Sequence, residues 1–327
     1  MRSSGPPAGS IVVTGATGHI GSYLVRDLVR QFPGVEVVMV DNLLTQRFGS
    51  LFNLPTDGRY RFIELDVTAV DLAPVLRGAA VVVHLAAITD AAGTFDKAEQ
   101  VEANNYTGTR NVATACAQAG VRFIGLSSTS VYGTQNAVVA EDCAPDELRP
   151  QSPYARTKLK EEALIASLCA DAGLEAIALR FGTIFGVSPG MRFHTAVNKF
   201  CWQAALGQPL TVWTTAYDQK RPYLDLGDAA RAIAFVIRKG LFDGRVYNVL
   251  TQNATVRQIV DVIREFVPDI EVRFVDSPIM NQLSYEVSCD RFLSQGFTFE
   301  GNLRRGIKDT IALLQQATGR SSALAAL

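Results

Sequence analysis

The sequence predicts an α/β protein, a doubly wound parallel sheet with a smaller C-terminal lobe. Three observations carry that prediction. Short apolar runs alternate with helix-period segments across residues 10–182. The first run ends in the glycine-rich turn TGATGHIG. After Thr183 the alternation weakens, and aromatic and polar residues mix in RFHTAVNKFCWQAALGQPLTVWTTAYDQKRPYLDL.

Each element has its own warrant. SIVVTG (10–15) is a short apolar run closed by glycine, hence a buried strand. In HIGSYLVRDLVRQF (19–32), Ile20, Leu24, Leu28 and Phe32 recur at i, i+4, so the segment is a helix packed by one face. VEVVMVD (35–41), RYRFIELDV (59–67) and AAVVVHLAA (79–87) are the next strands, and a helical region spans about 95–120. VRFIGLSS (121–128) is a strand, PYARTKLKEEALIASLCADAG (153–173) a helix and LEAIALRFGTI (174–184) a strand. Strands separated by helices require right-handed crossovers, and continuous apolar strands require cover on both faces. Further on come a helix at 228–240, the strand RVYNVL and a helix at 256–267. Residues 10–182, with a return segment at about 224–248, are assigned to a Rossmann-type nucleotide domain. Residues 183–223 and 249–327 are assigned to the substrate lobe.

Composition narrows the function. Apolar residues are 48% of the 327, enough for a large core, and the net charge is −1 with no basic stripe, which argues against nucleic acid. The longest apolar run (79–88) is too short to cross a bilayer, and MRSSGPPAGS lacks the apolar stretch of a signal peptide. The five cysteines are scattered with no C-x-x-C pair, as reduced cytoplasmic thiols would be. The three histidines have no helical spacing, so no metal site is expected.

The glycine turn fits a dinucleotide. Gly15, Gly18 and Gly21 permit a tight turn and close backbone approach, and the following helix offers its N-terminal N–H groups to a pyrophosphate. Thr17, His19 and Ile20 share that turn, and His19 also suits a packing or capping role. Asp41 ends the second strand, followed by Asn42. A carboxylate there bonds ribose hydroxyls and repels a 2′-phosphate, which selects NAD over NADP. Asp66 and Val67, ending the third strand, border the adenine or, for Asp66, form a turn. HLAA (84–87) ends the fourth strand in small residues where the dinucleotide crosses the sheet edge, which places Leu85, Ala86 and Ala87 against it.

Tyr154 and Lys158 stand at i, i+4 and share a helix face. A phenol of ordinary pKa ~10 is a poor base at neutral pH. A neighbouring ammonium and a cationic nicotinamide both favour its phenolate. Tyr154 can then take a proton from a sugar hydroxyl, with Lys158 holding the nicotinamide ribose. Alone, the pair reads equally as an exposed tyrosine and a solvated lysine.

With the motifs TGATGHIG, HLAA, NNYTGTRN, SSTSVYG, PYARTK, LRFGTIFG, RPYLDLGDAARAI and CDRFLSQGF in this order, nearly the whole chain resembles the extended short-chain dehydrogenase/reductases, the nucleotide-sugar epimerases and dehydratases. The resemblance implies that Ser128, four residues before the tyrosine of VYG, is the catalytic hydroxyl, with Ser127 securing the strand end. It implies that Asn105 steadies the site, that Arg221 contacts the nucleotide, that Asn198 binds the diphosphate and that Asp290 opens the last helix. It also implies a homodimer through the helices at about 95–119 and 153–172.

The reaction is read by elimination. The family's 4,6-dehydratases place an Asp-Glu pair after the catalytic hydroxyl and its decarboxylases a Glu; here Thr129 and Ser130 stand there. The resemblance then implies C4 epimerisation of a nucleotide-diphosphate sugar through a 4-keto intermediate, as in UDP-glucose or UDP-glucuronate 4-epimerases. A one-way 4-keto reductase or dehydrogenase is the alternative, and a non-catalytic NAD sensor a more distant one. Thr129, Ser130 and Thr183 suit a carboxylated C6 or simply satisfy strand ends, and Arg192, with His194, is placed to face the sugar. Three departures touch these pockets: WTTAYDQK before Arg221, Thr183 where the family often has Asn, and LSYEVSCD before the final Asp.

Overall fold

The computed structural model describes residues 7–69, 71–89, 98–133, 138–276 and 284–317; residues 95–97 of the second predicted helical region lie outside them. The chain runs β1 (Ser10–Thr14), α1 (His19–Gln31), β2 (Glu36–Asp41), β3 (Arg59–Glu64), α2 (Ala73–Leu76), β4 (Ala79–His84), α3 (Ala98–Ala119) and β5 (Arg122–Ser128). It continues through β6 (Val138–Val139), α4 (Pro153–Ala172), β7 (Ala176–Phe181), β8 (Thr183–Phe185), α5 (Ala196–Leu206), β9 (Leu210–Trp213) and β10 (Lys220–Asp225). It closes with α6 (Leu226–Lys239), β11 (Val246–Val249), β12 (Gln252–Thr255), α7 (Val256–Phe266), β13 (Val272–Val275), β14 (Glu286–Val287), α8 (Asp290–Leu293) and α9 (Leu303–Gln316).

The apolar runs pair as predicted, in a seven-stranded sheet of order β11-β7-β5-β4-β1-β2-β3. Every pairing in it is parallel, with Val12 of β1 opposite Val38 of β2 and Val82 of β4. The order reverses between β1 and β4, which opens a crevice at their carboxyl ends. Both faces are covered. Leu24, Leu28 and Val25 of α1 and Ile233, Val236 and Ile237 of α6 fill one side. Val112, Ala113 and Cys116 of α3 and Ile165 of α4 fill the other. A further core joins α5, α7 and α9 through Phe200, Ile259, Ile263, Ile307 and Ile311.

Four details differ from the sequence reading. The predicted strand at 174–184 breaks at Gly182 into β7 and β8, and β8 leaves for a small sheet with β10 and β12. Gly182 lies against the Pro222 backbone, where a Cβ would come within 3.1 Å, so the chain switches sheets at a glycine. The predicted helix at 228–240 starts earlier, at Leu226, because Asp225 caps it by accepting the Gly227 and Asp228 N–H groups. The third strand stops at Glu64, leaving Asp66 and Val67 in the loop beyond. Asp290 opens only the four-residue α8; the last described helix is α9, capped by Asn302.

Candidate active site

The cofactor end is built by the first turn. Gly15 has φ +66°, and a Cβ on it would lie 2.7 Å from the Ala86 nitrogen. A Cβ on Gly21 would lie 2.2 Å from the Gly15 carbonyl oxygen. Both positions therefore admit only glycine, and β1, α1 and the end of β4 meet backbone to backbone. No side chain caps α1 at Gly18, so its first turn presents N–H groups and the positive end of the helix to the crevice. Asp41 ends β2 with Oδ2 accepting the Thr17 N–H (3.0 Å) and Oδ1 the Leu43 N–H (2.9 Å). Its remaining lone pairs are available to ribose hydroxyls. These residues fit a dinucleotide with free ribose hydroxyls on the adenosine.

Asp66 forms the turn expected of it and stands on the cavity wall. Its Oδ1 accepts the Thr68 N–H and hydroxyl, forming a turn, its Oδ2 accepts from Asn42, and it lines the cavity. The Thr68 hydrogen bonds hold its carboxyl below the usual range.

One cavity of about 830 Å³ runs from this turn, across the strand ends, to β8 and Arg221. Gly15, Gly18, His19, Ile20, Gly21, Asp41, Asn42, Asp66, Val67 and Leu85–Ala87 line its dinucleotide end. Ser127–Ser130, Tyr154, Lys158, Thr183, Arg192, His194 and Arg221 line the rest. Three residues proposed for the site stand behind the wall. Thr17 is buried in the turn. Asn105, 1% exposed, accepts the Ile88 N–H and donates to its carbonyl, fixing the segment after β4. Asn198 is fully buried: it accepts the Gly186 N–H and donates to the Arg192 carbonyl. Its amide thus shapes the segment carrying Arg192, and both ends are engaged within the protein.

The hydroxyl cluster after β5 is differentiated. Ser127 donates to Glu162 Oε1 (2.5 Å), and Thr129 donates to the Phe181 carbonyl (3.3 Å). Ser128 Oγ accepts both the backbone N–H (3.1 Å) and the hydroxyl (2.9 Å) of Ser130. With its oxygen occupied as an acceptor, Ser128 has its own hydrogen to give to a ligand oxygen.

Tyr154 and Lys158 lie on α4, which starts at the Ser152 cap. The Lys158 ammonium is 5.6 Å from the Tyr154 ring centre. Burial raises the phenol above its usual pKa, while Lys158 and Arg192 pull it down. Lys158 is held as the cation: burial opposes its charge, and the Glu161 carboxylate 2.8 Å away more than offsets that. His84, behind them, is lowered to about 3 by burial and by Lys158; it is neutral and its Nδ1 pairs with the Thr14 hydroxyl. His19 is lowered to about 4, chiefly by burial, and its Nε2 pairs with the Gly186 carbonyl.

Sequence reasoning missed several neighbours. Glu161 and Glu162 sit inside, 4% and 9% exposed, although KLKEE is a dense run of charges. Glu162 and Arg180 form a bidentate pair (2.7 and 2.8 Å), and Arg180 also donates to the Tyr132 hydroxyl. Tyr285, from the divergent LSYEVSCD, lines the cavity, donates to the Thr129 carbonyl (3.1 Å) and lies under the Arg221 guanidinium. Thr89 pairs with Arg192. That this tyrosine departs from the familiar motif was the one available signal for it.

Known proteins bear directly on this arrangement. Residues 11–249 match the model of the NAD dependent epimerase/dehydratase family. The UDP-glucuronic acid 4-epimerase from Bacillus cereus, solved with UDP-glucuronic acid and NAD, superposes with a TM-score of 0.86 at 26% identity, covering 94% of this chain and 99% of that one. MoeE5, solved with UDP-glucuronic acid and NAD, gives 0.81 at 30% identity, covering 95% and 100%. The Arabidopsis thaliana trifunctional UDP-glucose 4,6-dehydratase/UDP-4-keto-6-deoxy-D-glucose 3,5-epimerase/UDP-4-keto-L-rhamnose-reductase RHM2 is 28% identical over 92% of this chain. The chain spans 46% of that relative's length. The glycine turn with Asp41, the parallel sheet that reverses at β1 and β4, and the family match over most of the chain lead to one assignment: this chain belongs to the NAD dependent epimerase/dehydratase family.

Proposed function

We propose that the chain is an NAD-dependent nucleotide-sugar 4-epimerase, and that its substrate is a UDP-sugar carrying a carboxylate at C6. One observation carries the choice of reaction. Among the described residues lining the cavity the carboxylates are Asp41 and Asp66, both at the dinucleotide end. Next to Ser128 stand Thr129 and Ser130 instead. Eliminating water needs a further acid and base beside the sugar, and the aliphatic hydroxyls of Thr129 and Ser130 serve as neither at neutral pH. The bound sugars of the two solved relatives support the uronic acid, as do Arg192 and the hydroxyls of Thr129, Ser130 and Thr183, a cation and neutral donors suited to a carboxylate.

When bound, NAD supplies the hydride acceptor and returns the hydride. The chain's residues manage the proton and the position of the sugar. Tyr154 Oη takes the proton of the C4 hydroxyl and later returns it to the same oxygen of the epimer. Ser128 donates to that oxygen throughout, which favours the carbonyl stage. Lys158 favours the phenolate that Tyr154 must be before it takes the sugar's proton. Asp41 selects the cofactor lacking a 2′-phosphate.

The test is proton NMR of the protein with NAD and a panel of UDP-, dTDP-, GDP- and CDP-sugars, UDP-glucuronate included. The expected outcome is a C4 epimer of UDP-glucuronate with no net change in NADH absorbance. Stoichiometric NADH would instead support a one-way dehydrogenase, and a 4-keto-6-deoxy product would overturn the argument from Thr129 and Ser130.

We also propose a homodimer through α3 and α4. Ala163, Ala166 and Ala170 of α4 are exposed in the single chain and would let a second helix approach closely. Sedimentation at twice the chain mass is expected, and a monomer at all accessible concentrations would refute it.

A further inference from the structure

Glu161 is the acid the mechanism above does not use. Its side chain is 5% exposed, and Oε2 lies 2.8 Å from the Lys158 ammonium, itself 5% exposed. Tyr154, Lys158 and Glu161 follow at i, i+4 and i+7, so they share one face of α4. The groups facing this face come from four elements. They are neutral His84 from β4, Thr109 from α3 beside the Glu161 carboxylate, Arg192 from the segment before α5, and Glu162 on α4. Arg180 neutralises Glu162 in its own bidentate pair. That leaves Glu161 as the carboxylate bound directly to Lys158.

An ammonium has three N–H donors and no acceptor. A carboxylate that takes one donor fixes the direction of the other two. It also cancels much of the lysine's field at nearby groups, because the pair is close and shielded from water. We propose that Glu161 is a positioning residue: it aims Lys158 at the cofactor ribose and offsets its charge in front of Tyr154 and the nicotinamide. This rests on the roles given above to Tyr154 and Lys158. With much of the Lys158 field offset by its partner, the site's tendency to deprotonate Tyr154 depends chiefly on the cationic, oxidised cofactor. The tyrosine is then a base when the sugar must be oxidised and an acid when the 4-keto sugar must be reduced.

The test is Glu161→Gln, near in shape and without the charge. Two readouts are taken: the pH dependence of kcat/KM, and the separate Kd values for NAD and NADH. Removing the carboxylate leaves a net positive charge. The acidic limb of the pH profile is then expected to move down by about one unit. Kd for NAD relative to Kd for NADH is expected to rise about tenfold, the ratio that corresponds to one such unit. Glu161→Asp, which retains the charge, should keep the cofactor ratio within about twofold of wild type. A Glu161→Gln protein with an unmoved limb and an unchanged ratio, or with both cofactors weakened alike, would overturn the inference whatever its kcat. If Glu161→Gln does not fold, the double variant Lys158→Met with Glu161→Met takes its place. It removes a neutral unit, so an unchanged ratio is expected, and a tenfold change in either direction overturns the inference. The cofactor ratio is read without sugar, so it stands even if no sugar is epimerised; failure of the epimerase reading shows in the NMR panel alone.

Discussion

Tyr154→Phe is expected to lower kcat by about 10²–10⁴-fold, the usual contribution of a positioned acid-base group. NAD affinity and the thermal midpoint should stay near wild type. The reason is local. The phenyl ring is retained, and among the described residues no protein group bonds the Tyr154 hydroxyl in the way Arg180 bonds that of Tyr132. Removing the hydroxyl therefore strands no buried partner. What disappears is the group proposed to carry the sugar's proton. Steady-state kinetics with UDP-glucuronate, beside NAD titration and a thermal melt, checks all three parts. Full activity in the variant would remove Tyr154 from the mechanism.

Arg180→Ala is the second large effect, and it falls on stability. Arg180 of β7 is 3% exposed and holds both oxygens of Glu162. The same network runs from Ser127 through Glu162 and Arg180 to Tyr132, and on to Asn248 of β11 (2.8 Å) and the Ser288 carbonyl (2.9 Å). Removing the guanidinium leaves a buried carboxylate without its counter-charge, a loss of about 3–5 kcal/mol. Chemical denaturation of the two proteins in parallel measures it. The double replacement of Arg180 and Glu162 by Met should recover much of the loss, since a buried pair removed together leaves no orphaned charge. A single variant as stable as wild type would mean that solvent reaches the carboxylate.

Much of this was legible in the sequence, for physical reasons. The alternation of strands and helices and the dinucleotide turn follow from local rules: apolar runs closed by glycine, glycine spacing, a carboxylate at a strand end, the 3.6-residue period of α1. Tyr154 and Lys158 could be paired because i, i+4 is itself a geometry. The unread part is long-range. Glu162, on helix α4, is buried against Arg180 of strand β7, and nothing in KLKEE announces that partner. Asn198 resembled a ligand contact, yet its amide is spent on Gly186 and Arg192. The break at Gly182 was hidden because one apolar run, LEAIALRFGTI, feeds two different sheets.

The bond from the Tyr285 hydroxyl to the Thr129 carbonyl spans 156 positions of the chain. Synthesis runs from the N-terminus, and the segments that emerge first are free to fold first. The glycine turn, Asp41 and the hydroxyl cluster all leave the ribosome well before Tyr285 arrives to close the wall beside Thr129. The chain order lets the two ends of the cavity form at different times. The end built by the glycine turn and Asp41 can form while the end beside Thr129 still lacks Tyr285 and lies open to water.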